Sequence, residues 1–211
     1  MPEGKKTVQL ARSTVECPCH ACAFFHTQEE EYQIVLPFVK DGVDAGDRNY
    51  QFVDKGHRAE RLARLKASGI DTATAEQGGL LELLPWEDVY LRNGRFDQQA
   101  MLELMEETFK TSRQQGAGLT RLWANMEWAL EELPGVHDIV EYEARLNNIL
   151  PHYDQVTVCT YDVTKFGGAV TMDILRTHPQ VIIGGTLREN PYYIPPDEFL
   201  REVRDRSVPA H

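Results

Sequence analysis

The sequence has no apolar run approaching the roughly 20 residues that a membrane-spanning helix needs. Its first twelve residues also lack the apolar stretch of a secretory signal peptide. We therefore expect a cytoplasmic protein that has no membrane partner.

Positive charge is scarce, with 22 Lys and Arg against 33 Asp and Glu and a net charge of −11. A field of that sign repels phosphate backbones, so we expect no direct binding of nucleic acid. The apolar share of 42% is ordinary for a globular protein, and 211 residues fit one domain with its own core. We predict a domain over residues 17–202, with tails at residues 1–16 and 203–211.

The common nucleotide-binding and catalytic motifs are also absent. Neither GxxxxGK[ST] nor GxGxxG follows the first predicted strand, where three consecutive glutamates, Glu29, Glu30 and Glu31, stand instead. A loop with carboxylates and no glycine cannot cradle a phosphate group. GxSxG and HExxH are missing as well, and a base such as Glu143 or His178 has no nucleophile or oxyanion arrangement that can be named beside it. We expect a protein that is not an enzyme and does not hydrolyse ATP.

Short apolar runs alternate along the chain with amphipathic segments. The runs predict strands at residues 22–26, 50–53, 80–84, 119–126, 156–161 and 181–183. Helical spacing occurs at residues 29–40 (interrupted at Pro37), 58–67, 97–113 and 136–150. The pattern predicts an α/β fold in one domain, with a mostly parallel, doubly wound sheet and helices on both faces. Ligands of such sheets collect at the carboxyl edge of the strands.

Three of the four cysteines form a cluster, Cys17, Cys19 and Cys22, with His20 inside it. Such a cluster in a chain of this size suggests reduced thiols, redox chemistry or a metal site. Strand alternation places His20 and Cys22 on one side and Cys19 on the other, which favours buried thiols over joint chelation. One alternative remains open: a metal- or redox-responsive protein that holds zinc or iron with Cys17, Cys19, His20 and Cys22.

Polar residues interrupt otherwise apolar faces. Glu143 and Asn147 fall into the apolar stripe of the helix at residues 136–150, and Arg121 shares a face of its strand with Asn125. Because a buried charge needs a partner, we predict that Arg121 pairs with Glu143 across the core. The pair would be either a structural ion pair or the polar anchor of a ligand pocket.

Two irregular segments are candidates for moving parts that cover a pocket. Aromatic residues in the predicted loop at residues 86–96, such as Trp86, suggest a lid or a binding wall. The second segment, at residues 190–196, is rich in proline and tyrosine. We interpret His178 and Pro179 as a turn with a satisfied imidazole rather than as the position of a catalytic base.

Several short motifs occur in a fixed order. They are His20-x-Cys22-x-Phe24-Phe25, Gly42-x-x-x-Gly46-Asp47, Arg121 leading into Met126-x-Trp128, Tyr142-Glu143 with Asn147, Cys159-x-Tyr161-Asp162, His178-Pro179 and Asn190-x-Tyr192-Tyr193-x-Pro195. In these motifs the chain resembles the MEDS domain, the methanogen/methylotroph, dichloromethane-regulator sensory domain, over about residues 19–200.

The resemblance implies a RecA/KaiC-like fold that has lost its phosphate loop (Walker A) and senses small hydrocarbon derivatives. Such domains occur alone or joined to helix-turn-helix domains, kinases or anti-sigma-factor partners. The resemblance thus implies a stand-alone sensor that binds a small organic ligand and signals to a protein partner such as a regulator, a kinase or an anti-sigma factor. A homodimer is compatible with this role. Asn125 departs from the family pattern, which has an acidic residue before Met-x-Trp, and the amide weakens any argument for magnesium or hydrolysis.

We expect the ligand to lie at the carboxyl edge of the sheet and no cofactor to be needed. The expected polar contacts are His20, Cys22, Arg121, Asn125, Glu143, Asn147 and Asp162. The expected apolar walls are Phe24, Trp86, Met126, Trp128 and Tyr161.

Overall fold

A twisted sheet forms the centre of the computed structural model, which describes residues 6–207. The described strands are β1 (Thr7–Leu10), β2 (Ser13–Glu16), β3 (Cys19–Phe25), β4 (Arg48–Val53), β5 (Leu81–Pro85), β6 (Thr120–Asn125), β7 (Gln155–Asp162), β8 (Gln180–Ile183) and β9 (Thr186–Glu189). Seven of them pair in the order β5-β4-β6-β7-β3-β8-β9, and every pair is parallel except β8 with β9. β1 and β2 form a separate antiparallel hairpin.

Helices cover both faces of this sheet. They are α1 (Gln28–Ala45), α2 (Arg58–Ala67), α3 (Thr72–Gln77), α4 (Trp86–Val89), α5 (Gln98–Gln114), α6 (Ile139–Leu146), α7 (Gly168–Thr177) and α8 (Pro196–Ser207). The hairpin and α1 to α3 bury their apolar residues against one face, and α4 to α7 pack on the other. The central strands β3, β6 and β7 are therefore buried on both sides, which explains their nearly continuous apolar runs. The predicted fold class is confirmed.

Two predicted helices differ in their extent. α1 continues through Pro37, which lies on its exposed side, while Val35, Phe38 and Val39 are buried against the sheet. This packing outweighs the roughly 3 kcal/mol that an internal proline costs a helix. The helix predicted at residues 136–150 is regular only in α6, because the Asn147 side-chain amide donates to the carbonyl oxygen of Glu143 at 3.1 Å and closes the helix end.

The predicted tails at residues 1–16 and 203–211 contain regular structure. β1 and β2 alternate buried and exposed residues, and the backbone N–H of Leu187 in β9 donates to the carbonyl oxygen of Ala11 at 3.1 Å, which fixes the hairpin to the sheet edge. α8 extends to Ser207. Residues 1–5 and 208–211 lie outside the described residues.

The sequence predicts a loop at residues 86–96, and the aromatic residues of this segment belong to the core, while residues 92–95 are exposed. Trp86, Tyr90 and Phe96 are buried, and the Tyr90 ring stacks on Trp128 with 4.5 Å between centroids. The aromatic rings pack under α5 and α6 because that arrangement removes their large apolar surfaces from water. The aromatic residues of the candidate lid thus form a wall of the core.

No helix within residues 6–207 is long and apolar enough to cross a bilayer.

Candidate functional site

Four ionisable or metal-ligating side chains meet on the face of the sheet that α4 to α7 cover. They are His20 from β3, Glu143 from α6, Cys159 from β7 and His178 just after α7. Each is at most 3% exposed to solvent. We call these four residues the polar cluster.

The Glu143 carboxylate lies at the centre of the polar cluster. Its Oε1 accepts a 2.8 Å hydrogen bond from the Tyr161 hydroxyl. Its Oε2 lies 3.4 Å from Nε2 of His20, 3.4 Å from Nε2 of His178 and 3.7 Å from Sγ of Cys159. One carboxylate oxygen therefore accepts from a neutral donor, and the other faces the three remaining members of the cluster.

Backbone and amide groups fix the orientation of both imidazole rings. The Asn147 side-chain amide donates to the carbonyl oxygen of Thr177 at 2.7 Å, so its Oδ1 faces Nδ1 of His20 at 2.9 Å and accepts from it. Nδ1 of His178 lies 2.8 Å from the carbonyl oxygen of Ile174, to which it can only donate. Both rings thus turn Nε2 toward Glu143.

Burial and proximity determine the ionisation of the polar cluster. Burial and the neighbouring His178 lower the pKa of His20, while burial and the Glu143 charge raise the pKa of Cys159 well above its ordinary value. Burial would raise the pKa of Glu143, but the contacts with His178 and His20 outweigh that effect and hold it below its usual range. At neutral pH the cluster therefore contains a carboxylate, a neutral His20 and a protonated thiol.

The sequence-predicted ligand residues separate into four groups. His20, Glu143, Asn147 and Tyr161 belong to the polar cluster or bind it directly. Five others lie in the core or at strand ends: Trp86, Met126, Trp128, Asn125 and Asp162. Of this last group, Asn125 accepts from the backbone of Glu127 and Asp162 from that of Thr164, so both bind their own loops.

Cys22 and Phe24 lie next to the polar cluster without joining it. Cys22 is opposite Cys159 in the strand register, yet its Sγ is directed toward the carbonyl oxygen of Gln180 at 3.8 Å. Phe24 packs on Tyr161 with 5.9 Å between ring centroids.

The predicted pair of Arg121 with Glu143 is wrong. Arg121 lies on the opposite face of the sheet, where its Nε donates to Oδ2 of Asp47 at 2.9 Å and its Nη1 to the carbonyl oxygen of Phe38 at 2.8 Å. A side chain added at Gly42 would meet Arg121 at 2.7 Å, so that position leaves room for the guanidinium. The physical reason is that β6 is buried on both faces, and an inward-facing Arg121 can belong to either one.

The alternative metal set is not brought together either. Cys17 and Cys19 pack in the core beneath α1, whereas His20 and Cys22 face the other side of the sheet. Burial raises the pKa of Cys17 to about 11 and that of Cys19 to about 12. These two thiols are inert by burial and cannot share a metal ion with His20.

The sequence pattern predicts Cys159 as an isolated strand residue and His178 as part of a turn. The available signal was alternation along β7, which puts Cys159 and Tyr161 on one face of the strand. The register that sets Cys22 opposite Cys159 joins residues 137 positions apart and follows only from the folded sheet.

A groove of about 900 Å³ lies at the carboxyl ends of β3 and β8. Its walls come from the turn of the β1–β2 hairpin, from α1, from α7 and from the turn between β8 and β9. Apolar lining residues include Phe24, Ile34, Leu175 and Ile183, and the polar ones include Arg12, His26, Glu30 and Asp41. Phe24 is the one sequence-predicted ligand residue among those that line it.

Large apolar side chains remain exposed at the groove. Met172 is 53% and Ile183 is 58% exposed. These walls do not follow from the sequence pattern, because the hairpin falls within the predicted tail and α7 has no predicted role.

The N-terminus of α1, the helix that follows β3, is capped by the side chains of Thr27 and Glu30. Oγ1 of Thr27 accepts from the backbone N–H of Glu30 at 3.2 Å, and the Glu30 carboxylate accepts from that of His26 at 2.9 Å. This arrangement resembles a capping box, which satisfies amides that a phosphate-binding loop would offer to its ligand.

The strand order, the helices on both faces and the capped α1 define a RecA-like α/β domain without a phosphate loop. A solved structure with the same fold is the KaiC-like protein PH0186 from Pyrococcus horikoshii OT3, with a TM-score of 0.55 and 19% identity. The similarity covers 77% of this chain and 69% of that one. At this identity it shows the fold alone.

Residues 19–179 match the MEDS family, the methanogen/methylotroph, DcmR sensory domain, and the chain belongs to that family. A relative is the transcriptional repressor DcmR from Methylorubrum extorquens, which is 28% identical over 171 residues. The alignment covers 81% of this chain but only 62% of the repressor. The resemblance seen in the sequence motifs is confirmed, and the chain carries a sensory domain.

Proposed function

We propose that this domain binds a small organic molecule in the groove and signals to a protein partner that controls transcription. The observation that carries the proposal is the groove of about 900 Å³ in a domain of a sensory family. Small-molecule sites are typically concave, mostly apolar and about 300–1,000 Å³ in volume.

The lining of the groove favours a molecule with a large apolar part. Phe24, Ile34 and Leu175 supply apolar contacts, while Arg12 and Glu30 provide charges of both signs at its border. Burial of apolar surface would supply most of the affinity, at about 25 cal/mol per Å². A hydrocarbon derivative with one polar group fits this chemistry.

A signal requires that the ligand bind two conformations unequally. The groove is bounded by α7, whose last turn is tied to the following chain because the Asn190 amide donates to the carbonyl oxygen of Leu175. A shift of α7 would therefore reach residues 190–196, where Tyr192 is 63% exposed and available to a partner. A regulator, a kinase, an anti-sigma factor or a second copy of the chain would read that change.

The proposed role is non-enzymatic and cytoplasmic. The capped N-terminus of α1 supports it, because the amides that would hold a nucleotide phosphate already have partners. The similarity to a transcriptional repressor supports an output in gene control.

Binding of a neutral apolar dye, Nile red, tests the groove. Thr171 lines the groove, and the neighbouring Val170 on the same helix lies outside its lining and is 37% exposed. Thr171→Glu puts a charge where the probe must be desolvated, and we expect it to weaken binding by about tenfold or more, an effect of about 1.4 kcal/mol. Val170→Glu adds the same charge and should leave binding unchanged.

Displacement of the dye then identifies the ligand class. Short halogenated alkanes and alcohols should compete in the wild type and in Val170→Glu. Equal dye affinity in both variants, or no competition by any such molecule, would contradict the proposal.

A further inference from the structure

The ligand-forming atoms of the polar cluster converge on one point. One ligand atom from each of His20, Glu143, Cys159 and His178 lies within 4.8 Å of the other three. Around a tetrahedral zinc ion, bonds of about 2.0–2.3 Å put neighbouring ligand atoms about 3.3–3.8 Å apart. The distances from Oε2 of Glu143 are 3.4, 3.4 and 3.7 Å, and Sγ of Cys159 lies 3.8 Å from Nε2 of His20.

From this convergence we propose that His20, Glu143, Cys159 and His178 bind a divalent transition-metal ion, with zinc as the preferred ion. The site is distinct from the groove and does not depend on the proposed organic ligand.

The tautomers of both histidines favour metal binding. Nδ1 of His20 donates to Oδ1 of Asn147, and Nδ1 of His178 donates to the carbonyl oxygen of Ile174. A ring that carries its proton on Nδ1 alone directs the lone pair of Nε2 at the common point, which is how carbonyl partners orient imidazoles that ligate metals.

The cluster is not satisfied by its own hydrogen bonds. Nε2 of His178 is fully buried and has no hydrogen-bond partner, although it faces Oε2 of Glu143. Without a proton on that nitrogen, its lone pair faces the carboxylate and is repelled unless a metal cation lies between them. The metal ion would satisfy that nitrogen and Oε2 together.

Charge balance also favours a divalent metal ion at this site. A divalent ion with the Glu143 carboxylate and a Cys159 thiolate forms a neutral unit with two neutral imidazoles. The burial that raises the pKa of Cys159 in the metal-free protein would be overcome by the ion, because a coordinated thiol loses its proton. The released proton goes to solvent as the ion binds.

The donor set selects the class of metal. Two imidazoles, one thiolate and one carboxylate suit a borderline ion such as zinc rather than calcium or magnesium, which take oxygen ligands. All four positions belong to the protein, as in closed structural sites. The ion would join β3, α6, β7 and the end of α7.

Metal analysis and cobalt spectroscopy of the full chain test the proposal. Chain purified under reducing conditions without chelator should contain about one zinc per chain, and Co²⁺ substituted for it should give thiolate charge-transfer absorption. Cys159→Ser should lose that absorption. Cys22→Ser is the matched control, because Cys22 is equally buried in the neighbouring strand and should keep it.

A second variant guards against a folding defect in Cys159→Ser. Added Zn²⁺ should raise the melting temperature of metal-stripped wild type, and this rise should be lost in His178→Gln while circular dichroism remains native. The proposal is overturned if folded wild type binds neither ion after reduction. It is equally overturned if the metal remains in both Cys159→Ser and His178→Gln. Neither result alters Nile red binding, so failure here is distinguishable from failure of the groove.

Discussion

Removal of the Arg121 guanidinium alone should destabilise the fold far more than removal of its whole ion pair. The side chains of Arg121 and Asp47 are only 5% and 10% exposed, and Nη1 of Arg121 also satisfies the carbonyl oxygen of Phe38. Arg121→Met leaves a buried carboxylate without a counterion, which costs about 3–5 kcal/mol.

The double variant Arg121→Met with Asp47→Leu removes both charges together. Apolar replacement of a buried pair is often neutral or stabilising, so we expect its unfolding free energy to lie within about 1 kcal/mol of wild type or above it.

Urea unfolding followed by circular dichroism measures the difference. With an m-value of about 2 kcal/mol/M, a loss of about 4 kcal/mol moves the midpoint of Arg121→Met down by about 2 M. The double variant should recover most of that shift. The reasoning is refuted if adding Asp47→Leu to Arg121→Met does not restore the urea midpoint. It is refuted most clearly if adding Glu143→Gln to Arg121→Met restores the midpoint instead.

Three further predictions concern local structure. Thr27→Ala should lower the unfolding free energy by about 1 kcal/mol through loss of the α1 cap, whereas Thr27→Ser should keep it; equal loss in both variants would contradict the capping role. Arg12 has a φ of 62°, a backbone conformation that strains any residue except glycine. Arg12→Gly should therefore raise the unfolding free energy in the same urea assay by up to about 1 kcal/mol, after subtraction of the entropic cost of glycine. A decrease would show that the Arg12 side chain stabilises the fold by more than its backbone strain destabilises it. Stability should fall as the pH rises above the ordinary thiol pKa of 9.0, because unfolded cysteines ionise there while Cys17 and Cys19, with pKa values of about 11 and 12, stay protonated in the fold. Urea midpoints at pH 8 and pH 10 measure this loss of stability. The loss should be smaller in a Cys17→Ala/Cys19→Ala variant. An equal loss in that variant would show that the two thiols do not cause it.

Periodicity was sufficient to predict the sheet and several side-chain directions. Alternation along β3 separates Cys19 from Cys22, and the two thiols indeed lie in the cores on opposite faces of the sheet. Helical spacing predicts that Glu143 is directed inward, and the residue is fully buried. These features depend on local geometry, which each segment carries in its own sequence.

The partners of buried charges depend on strand order, which local patterns do not encode. β6 lies between β4 and β7 and is covered on both faces, so the sequence could not show that Arg121 faces Asp47 rather than Glu143. His178 meets His20 only because β8 pairs with β3, which brings distant residues together.

The groove could not be predicted from local patterns either, because its walls come from segments that meet only in the folded chain. The strands of the β1–β2 hairpin have four residues each, too few to distinguish from an irregular terminus by pattern. Its turn forms a wall only after it docks on β9, through the bond from Leu187 to Ala11. Side chains from four separate elements then enclose the space.

Native mass spectrometry of gently purified chain tests the central claim, that the groove binds a small organic molecule, most directly. Wild type and Val170→Glu, after exposure to short halogenated alkanes and alcohols, should carry one small organic mass that Thr171→Glu does not retain. An organic mass that remains in Thr171→Glu, or a wild-type chain that takes up none, would contradict the account.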